Sequence, residues 1–115
     1  MPEVPMVVES SEVGASADRP AGYRVVVSGE IDVASAPRLS EHISGLIADG
    51  ARLIVVDASD VEFLDSSGLR AIVAASNELH EVDGQLLIEG MSGAVKKTLE
   101  VAGLLERYRT GSTGD

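Results

Sequence analysis

An α/β domain built on a mostly parallel sheet is the fold class this 115-residue chain predicts. Short β-branched runs, YRVVVSG, RLIVVDAS and QLLIEG, recur along the chain. The stretches between them place apolar residues at helical spacing. Strands that alternate with helices pair in parallel, because each crossover helix returns the chain to the same end of the sheet. With 44% hydrophobic residues the chain has enough apolar surface for one core, and its length suits one domain over residues 1–115.

Residues 4–9, VPMVVE, predict a first strand, which Pro5 confines to a sheet edge. SEVGASADRPAG reads as a loop, so residues 1–22 form an edge strand plus a flexible connection. YRVVVSG is a core strand, followed by an SGEID turn. A helix is predicted from about Ala36 to Asp49, with Ser35 as N-cap, Pro37 in the first turn and Gly50 as the closing residue. Leu39, Ile43, Leu46 and Ile47 form its apolar stripe. RLIVVDAS is apolar nearly throughout and predicts a strand covered on both faces. A short VEFL leads into a DSSG turn and a second helix over Ser67–Val82, ended by Asp83-Gly84. QLLIEG is the next strand, and Ser92 caps a third helix, GAVKKTLEVAG. Residues 108–115 read as a disordered polar tail.

The formal net charge is −10, unevenly placed: through Asp65 there are 4 basic and 12 acidic residues (−8), and beyond it 5 and 7 (−2). Such a surface repels nucleic acid and anionic lipid, so neither is an expected partner. No apolar run approaches the roughly 20 residues of a membrane span, and the N-terminus lacks the pattern of a secretion signal, which makes the cytoplasm the expected location. There are no cysteines, which excludes disulfides and thiolate chemistry. No phosphate-cradling glycine motif is present, and Leu64 stands where a nucleophile elbow needs glycine. His42 and His80 lie inside helices without metal-ligand spacing. Neither cofactor nor metal is expected.

In α/β sheets the turns leaving the carboxyl ends of strands gather at one edge and form the functional surface. Glu30, Asp32, Asp60, Glu62 and Asp65 make that edge acidic. The DSSG turn has two readings. Ser66 or Ser67 caps the second helix, for about 1 kcal/mol. Alternatively, one hydroxyl receives a phosphate, which free N–H groups and the helix dipole would accommodate.

Three blocks decide which family the chain resembles: SGEIDVASAP, LIVVDASDVEFLDSSGLRAIV and MSGAVKKTLEVAGL. Together they span residues 28–104 and resemble the STAS-domain family of anti-sigma factor antagonists. The resemblance implies a STAS fold, a mixed, mostly parallel sheet of four to five strands with helices packed against it. It also implies phosphorylation on Ser66 by an anti-sigma factor serine kinase, which has an ATP-binding fold related to histidine kinases. The unphosphorylated form would bind that kinase and release a sigma factor; a serine phosphatase would reset the switch. Glu30, Asp32, Ser35, Asp65, Ser67 and Gly68 would line the docking surface. The protein would be a substrate and not an enzyme, a monomer or weak dimer.

Two other readings share parts of this pattern. One is a STAS scaffold within a stress-signalling assembly that keeps the fold without the switch. The other is a receiver-like domain phosphorylated on Asp57, which lacks the expected acidic pair and late lysine.

Overall fold

In a computed structural model of the chain, residues 4–14 and 21–108 are described. The elements run β1 (Val7–Val13), β2 (Gly22–Ile31), α1 (Ala36–Ala48), β3 (Leu53–Leu64), α2 (Ser66–Glu81), β4 (Gln85–Met91), α3 (Gly93–Val101) and α4 (Leu105–Tyr108). The sheet is four-stranded in the order β1-β2-β3-β4. β1 pairs antiparallel with β2, whereas β2–β3 and β3–β4 are parallel. This is the mixed, mostly parallel α/β sheet expected from the sequence.

Period-2 alternation sorts the strand residues by face. Val25, Val27 and Ile31 of β2, Ile54, Val56, Val61 and Leu64 of β3, and Leu86 and Ile88 of β4 join one core. The helices supply its other side: Leu39, Ile43 and Ile47 from α1, Ile72, Ala75 and Leu79 from α2, and Val95 and Leu99 from α3. All of these side chains are at most 8% exposed, and each large one contributes about 1.5–3 kcal/mol relative to exposure. Leu53 and Val55, of opposite parity in β3, are buried as well but lie outside that core. RLIVVDAS is therefore covered on both faces, as its continuous apolarity predicts.

Several boundaries differ from expectation. The first strand is Val7–Val13 and not residues 4–9, so Pro5 lies ahead of it. Residues 11–13, read as loop, pair instead with Gly22–Arg24. VEFL is no separate strand: β3 continues through it to Leu64, because register shifts at Val26/Ser28 and Gly29/Glu30 keep β2 beside it. By the same pairing β2 runs on through Ile31, which moves the turn from SGEID to Asp32–Ser35. Gly29, at φ 84°, has the carbonyl of Pro5 where a β-carbon would stand, and Glu30 donates its N–H to the Val4 carbonyl at 3.0 Å. A polar tail from residue 108 is also corrected at its first position, since Tyr108 is 1% exposed and part of the core. The remainder of that tail, and most of the connection before β2, lie outside the described residues.

Helix boundaries came closer. α1 ends one residue before the expected Asp49, with Gly50 in the left-handed region behind it. α3 begins as expected, the Ser92 hydroxyl accepting the Val95 N–H at 3.2 Å. None of the described helices is long and apolar enough to cross a membrane.

Candidate functional site

The carboxyl ends of β2 and β3 lie side by side. Glu30 pairs with Phe63 and Ile31 with Leu64 in the ladder, and the Asp65 N–H reaches the Ile31 carbonyl at 3.3 Å. This brings the turn after β2 against the DSSG turn and collects Glu30, Asp32, Ser35, Asp65, Ser66, Ser67 and Gly68 on two adjoining connections.

The first connection is a closed polar knot. One Asp32 carboxylate oxygen accepts the N–H groups of Ala34 at 3.0 Å and Ser35 at 3.1 Å. The Ser35 hydroxyl accepts the Asp32 N–H at 2.9 Å, with the Glu30 carbonyl at 3.0 Å and the Asp32 carboxylate at 3.1 Å as acceptors for its proton. The Ser35 amide, followed by its hydroxyl and the Ala34 amide, holds the Asp32 carboxyl below its ordinary value, against an opposing contribution from desolvation. Ser35 occupies the N-cap position of α1 as expected, but its side chain makes no cap bond, because it is turned back onto Asp32 and Glu30. Arg38, one turn into α1, donates to the Met6 carbonyl at 2.7 Å and ties the segment before β1 to this edge.

The second connection corrects the capping reading. The N-cap of α2 is Asp65, not Ser66 or Ser67, and the helix starts at Ser66. Its backbone is extended at ψ −172°, which turns the carboxylate onto the open end of the helix. One oxygen accepts the N–H groups of Ser67 at 2.9 Å and Gly68 at 3.1 Å. A carboxylate there satisfies two orphan donors and complements the helix dipole, so it outcompetes either hydroxyl. Two of the N–H groups expected to receive a phosphate are thus already used.

Ser66 is left exposed, its hydroxyl in no hydrogen bond among the described residues; Ser67 is half-buried. Gly68 is buried, and a β-carbon there would lie 2.8 Å from Ile31 Cγ2 and closer still to Leu64 Cδ1. Its place in the site is therefore to let α2 start hard against the ends of β2 and β3. The Thr98 hydroxyl of α3 donates to the Leu64 carbonyl at 3.0 Å and fixes the same strand end from the other side.

Sequence reasoning passed over two features here. Val33 and Phe63, 73% and 47% exposed, flank the acidic residues with apolar surface. The signal was available, since Phe63 is the chain's one phenylalanine and sits among Asp60, Glu62 and Asp65. The second is a charge network on the sheet. Arg24 of β2 bonds Asp57 of β3 at 2.6 Å and also Glu89 of β4. The Ser59 hydroxyl donates to the other Asp57 oxygen at 2.6 Å. That hydroxyl, with the Ser59 N–H and Arg24, keeps the Asp57 carboxyl below its ordinary value despite some desolvation. Both Asp57 oxygens are engaged, and the residue lies seven positions before the end of β3. It holds the sheet together and has no free acceptor atom.

Comparison with known proteins bears on the family and the fold. The sequence profile of the STAS domain matches residues 18–114. The chain belongs to the STAS-domain family. Among relatives, the anti-sigma-B factor antagonist of Staphylococcus aureus is 37% identical over 82 residues, 71% of this chain and 76% of the relative. Its Staphylococcus epidermidis counterpart is 32% identical over the same share. Among solved structures, an anti-sigma factor antagonist from Mycobacterium paratuberculosis superposes with a TM-score of 0.72 at 26% identity, covering 93% of this chain and 88% of that one. The anti-sigma factor antagonist SpoIIAA in its unphosphorylated form shares the fold, with a TM-score of 0.71 at 22% identity over 89% of this chain and 86% of that one. Membership in this family leaves no place for the receiver reading of Asp57.

Proposed function

We propose that this STAS domain is an anti-sigma factor antagonist whose docking to an anti-sigma factor kinase is controlled by a phosphate on Ser66. The observation that carries the reading is the state of that side chain. Ser66 is exposed at the first turn of α2, its hydroxyl is unengaged among the described residues, and it stands beside the acidic, partly apolar edge formed by the Asp32 turn and β3. The names of the relatives, anti-sigma-B factor antagonists, support the same reading.

In this account Ser66 is a substrate residue and the chain is not itself an enzyme. The unphosphorylated form binds the kinase, a protein with an ATP-binding fold like that of histidine kinases, and a sigma factor is released. Phosphoryl transfer joins the Ser66 oxygen to the γ-phosphorus of ATP as the bond to ADP breaks, the serine proton passing to the kinase. The phosphoserine carries nearly two negative charges at neutral pH. Placed in a desolvated interface, that charge opposes docking through repulsion and unmet hydrogen bonds. A serine phosphatase restores the binding form, and the exchange takes place in the cytoplasm. Asp32 and Ser35 shape the first docking loop; Glu30, Asp65 and Ser67 surround the second, and Gly68 sets its height.

The test is mass spectrometry with site localisation on the protein isolated from its native cells and after incubation with the kinase and ATP. Substoichiometric phosphate on Ser66, absent from Ser66→Ala, is the expected result. Phosphate on no serine under growth or stress would overturn the switch and leave a STAS scaffold.

A further inference from the structure

We propose that Arg70 is the intramolecular counter-charge of a phosphate on Ser66, a positioning residue for the modified state; this rests on the phosphorylation reading above. The helix geometry brings the two together. Ser66, Arg70, Ala74, Asn77 and Glu81 are exposed and follow one another at spacings of three or four, so they form the solvent stripe of α2. Side chains on a helix lean toward its N-terminus, and an arginine at i+4 therefore reaches back over residue i.

Arg70 is not engaged elsewhere among the described residues. Its helical neighbours at three and four residues are Ser66, Ser67, Val73 and Ala74, none of them acidic. Among the described residues it makes no hydrogen bond or ion pair. Arg38, in the first turn of α1, is occupied on the Met6 carbonyl, and Arg24, toward the other end of β2, on Asp57 and Glu89.

The phosphate, for its part, finds two of the N–H groups at the start of α2 already taken. Asp65 already holds the N–H groups of Ser67 and Gly68, and its own charge sits beside the modified residue. The other charged groups on this edge are Glu30 and Asp32 at the end of β2 and in the turn after it, Glu62 near the end of β3, and Lys97 on α3, next to the Thr98 that bonds Leu64. A guanidinium is the donor best matched to a phosphate, forming two parallel charge-assisted bonds. Phosphorylation then does two things to the docking edge: it adds an anion and withdraws the free cation of α2.

The experiment is a phosphorus NMR titration of the full chain carrying genetically encoded phosphoserine at position 66, compared with Arg70→Gln, Arg70→Lys and Lys97→Gln in the same background. Encoding the phosphoserine makes the result independent of whether a kinase modifies the site, which the mass spectrometry decides separately. The phosphate's second ionisation, ordinarily near pH ~6, is expected to lie lower in the parent. Arg70→Gln should raise it by about half a pH unit, Arg70→Lys should restore part of the shift, and added salt should shrink it. Equal titration of the parent and Arg70→Gln would overturn the proposal, as would a shift that follows Lys97→Gln instead. A residue with a purely structural role would not move this midpoint.

Discussion

Replacing Gly68 by alanine tests how the site is built. Gly68 is the third residue of α2, and its φ is not in the left-handed region, so only the space around it requires glycine. An added β-carbon would lie 2.8 Å from Ile31 Cγ2 and nearer to Leu64 Cδ1, with the Ile31 carbonyl at 3.1 Å. Ile31 and Leu64 are themselves 2% and 4% exposed, so neither can move aside without disturbing the core. Overpacking of this kind costs about 1–3 kcal/mol. Alanine's helix preference over glycine offsets about 0.5–1 kcal/mol of it. A net loss of about 1–2 kcal/mol lowers Tm by roughly 4–10 °C in a domain of this size, measured by circular dichroism. The start of α2 must also lift from the strands, shifting the amide resonances of Asp65 and Ser66. A Tm and spectrum unchanged from the parent would refute the close-approach account of Gly68.

Three other changes probe separate parts of the structure. Asp65→Ala removes the acceptor for two helix N–H groups and should destabilise by about 1 kcal/mol, read from urea unfolding, while Ser66→Ala should cost less because its hydroxyl caps nothing. The Asp57 carboxyl is depressed in the folded chain, so its stabilisation is fully present above the ordinary value of 3.8 and is lost as pH falls through the depressed one. Asp57→Asn should therefore narrow the difference in urea midpoint between about pH 7 and about pH 3; an unchanged difference would remove Asp57 from the acid response. The buried Tyr108 hydroxyl has no partner among the described residues, so Tyr108→Phe should stay within about 1 kcal/mol of the parent or stabilise it, whereas Tyr108→Ala should cost about 3–5 kcal/mol in the same unfolding assay.

The elements that the sequence made legible are those whose burial is strongly one-sided or complete. RLIVVDAS and QLLIEG declare themselves by unbroken apolarity, and Leu39, Ile43 and Ile47 by helical spacing. β1 was misplaced because VVESSEV is largely exposed, and an edge strand with little to bury leaves little pattern to read. VEFL looked separate because its exposed residues, Glu62 and Phe63, break the apolar run while the backbone pairing continues. Tyr108 lay in polar company, and its burial depends on where α4 meets β4, a tertiary contact without a local signal.

The gathering of the candidate residues at one sheet edge was legible in the sequence, and their hydrogen bonds were not. Asp65, Ser66 and Ser67 can all cap a helix, and only the backbone angle at Asp65 assigns the cap to the carboxylate. That assignment leaves the Ser66 hydroxyl unengaged, which the residue types alone did not decide. The pairing of Ser35 with Asp32 and Glu30 is likewise set by the turn geometry.

The most direct test of the switch is isothermal titration of the anti-sigma factor kinase with this STAS domain, unmodified and fully phosphorylated on Ser66. An effect of about 3 kcal/mol, more than about a hundredfold in Kd, is the predicted weakening on phosphorylation. Equal affinity for the two forms would contradict the account, leaving Ser66 an exposed helix residue without a regulatory role.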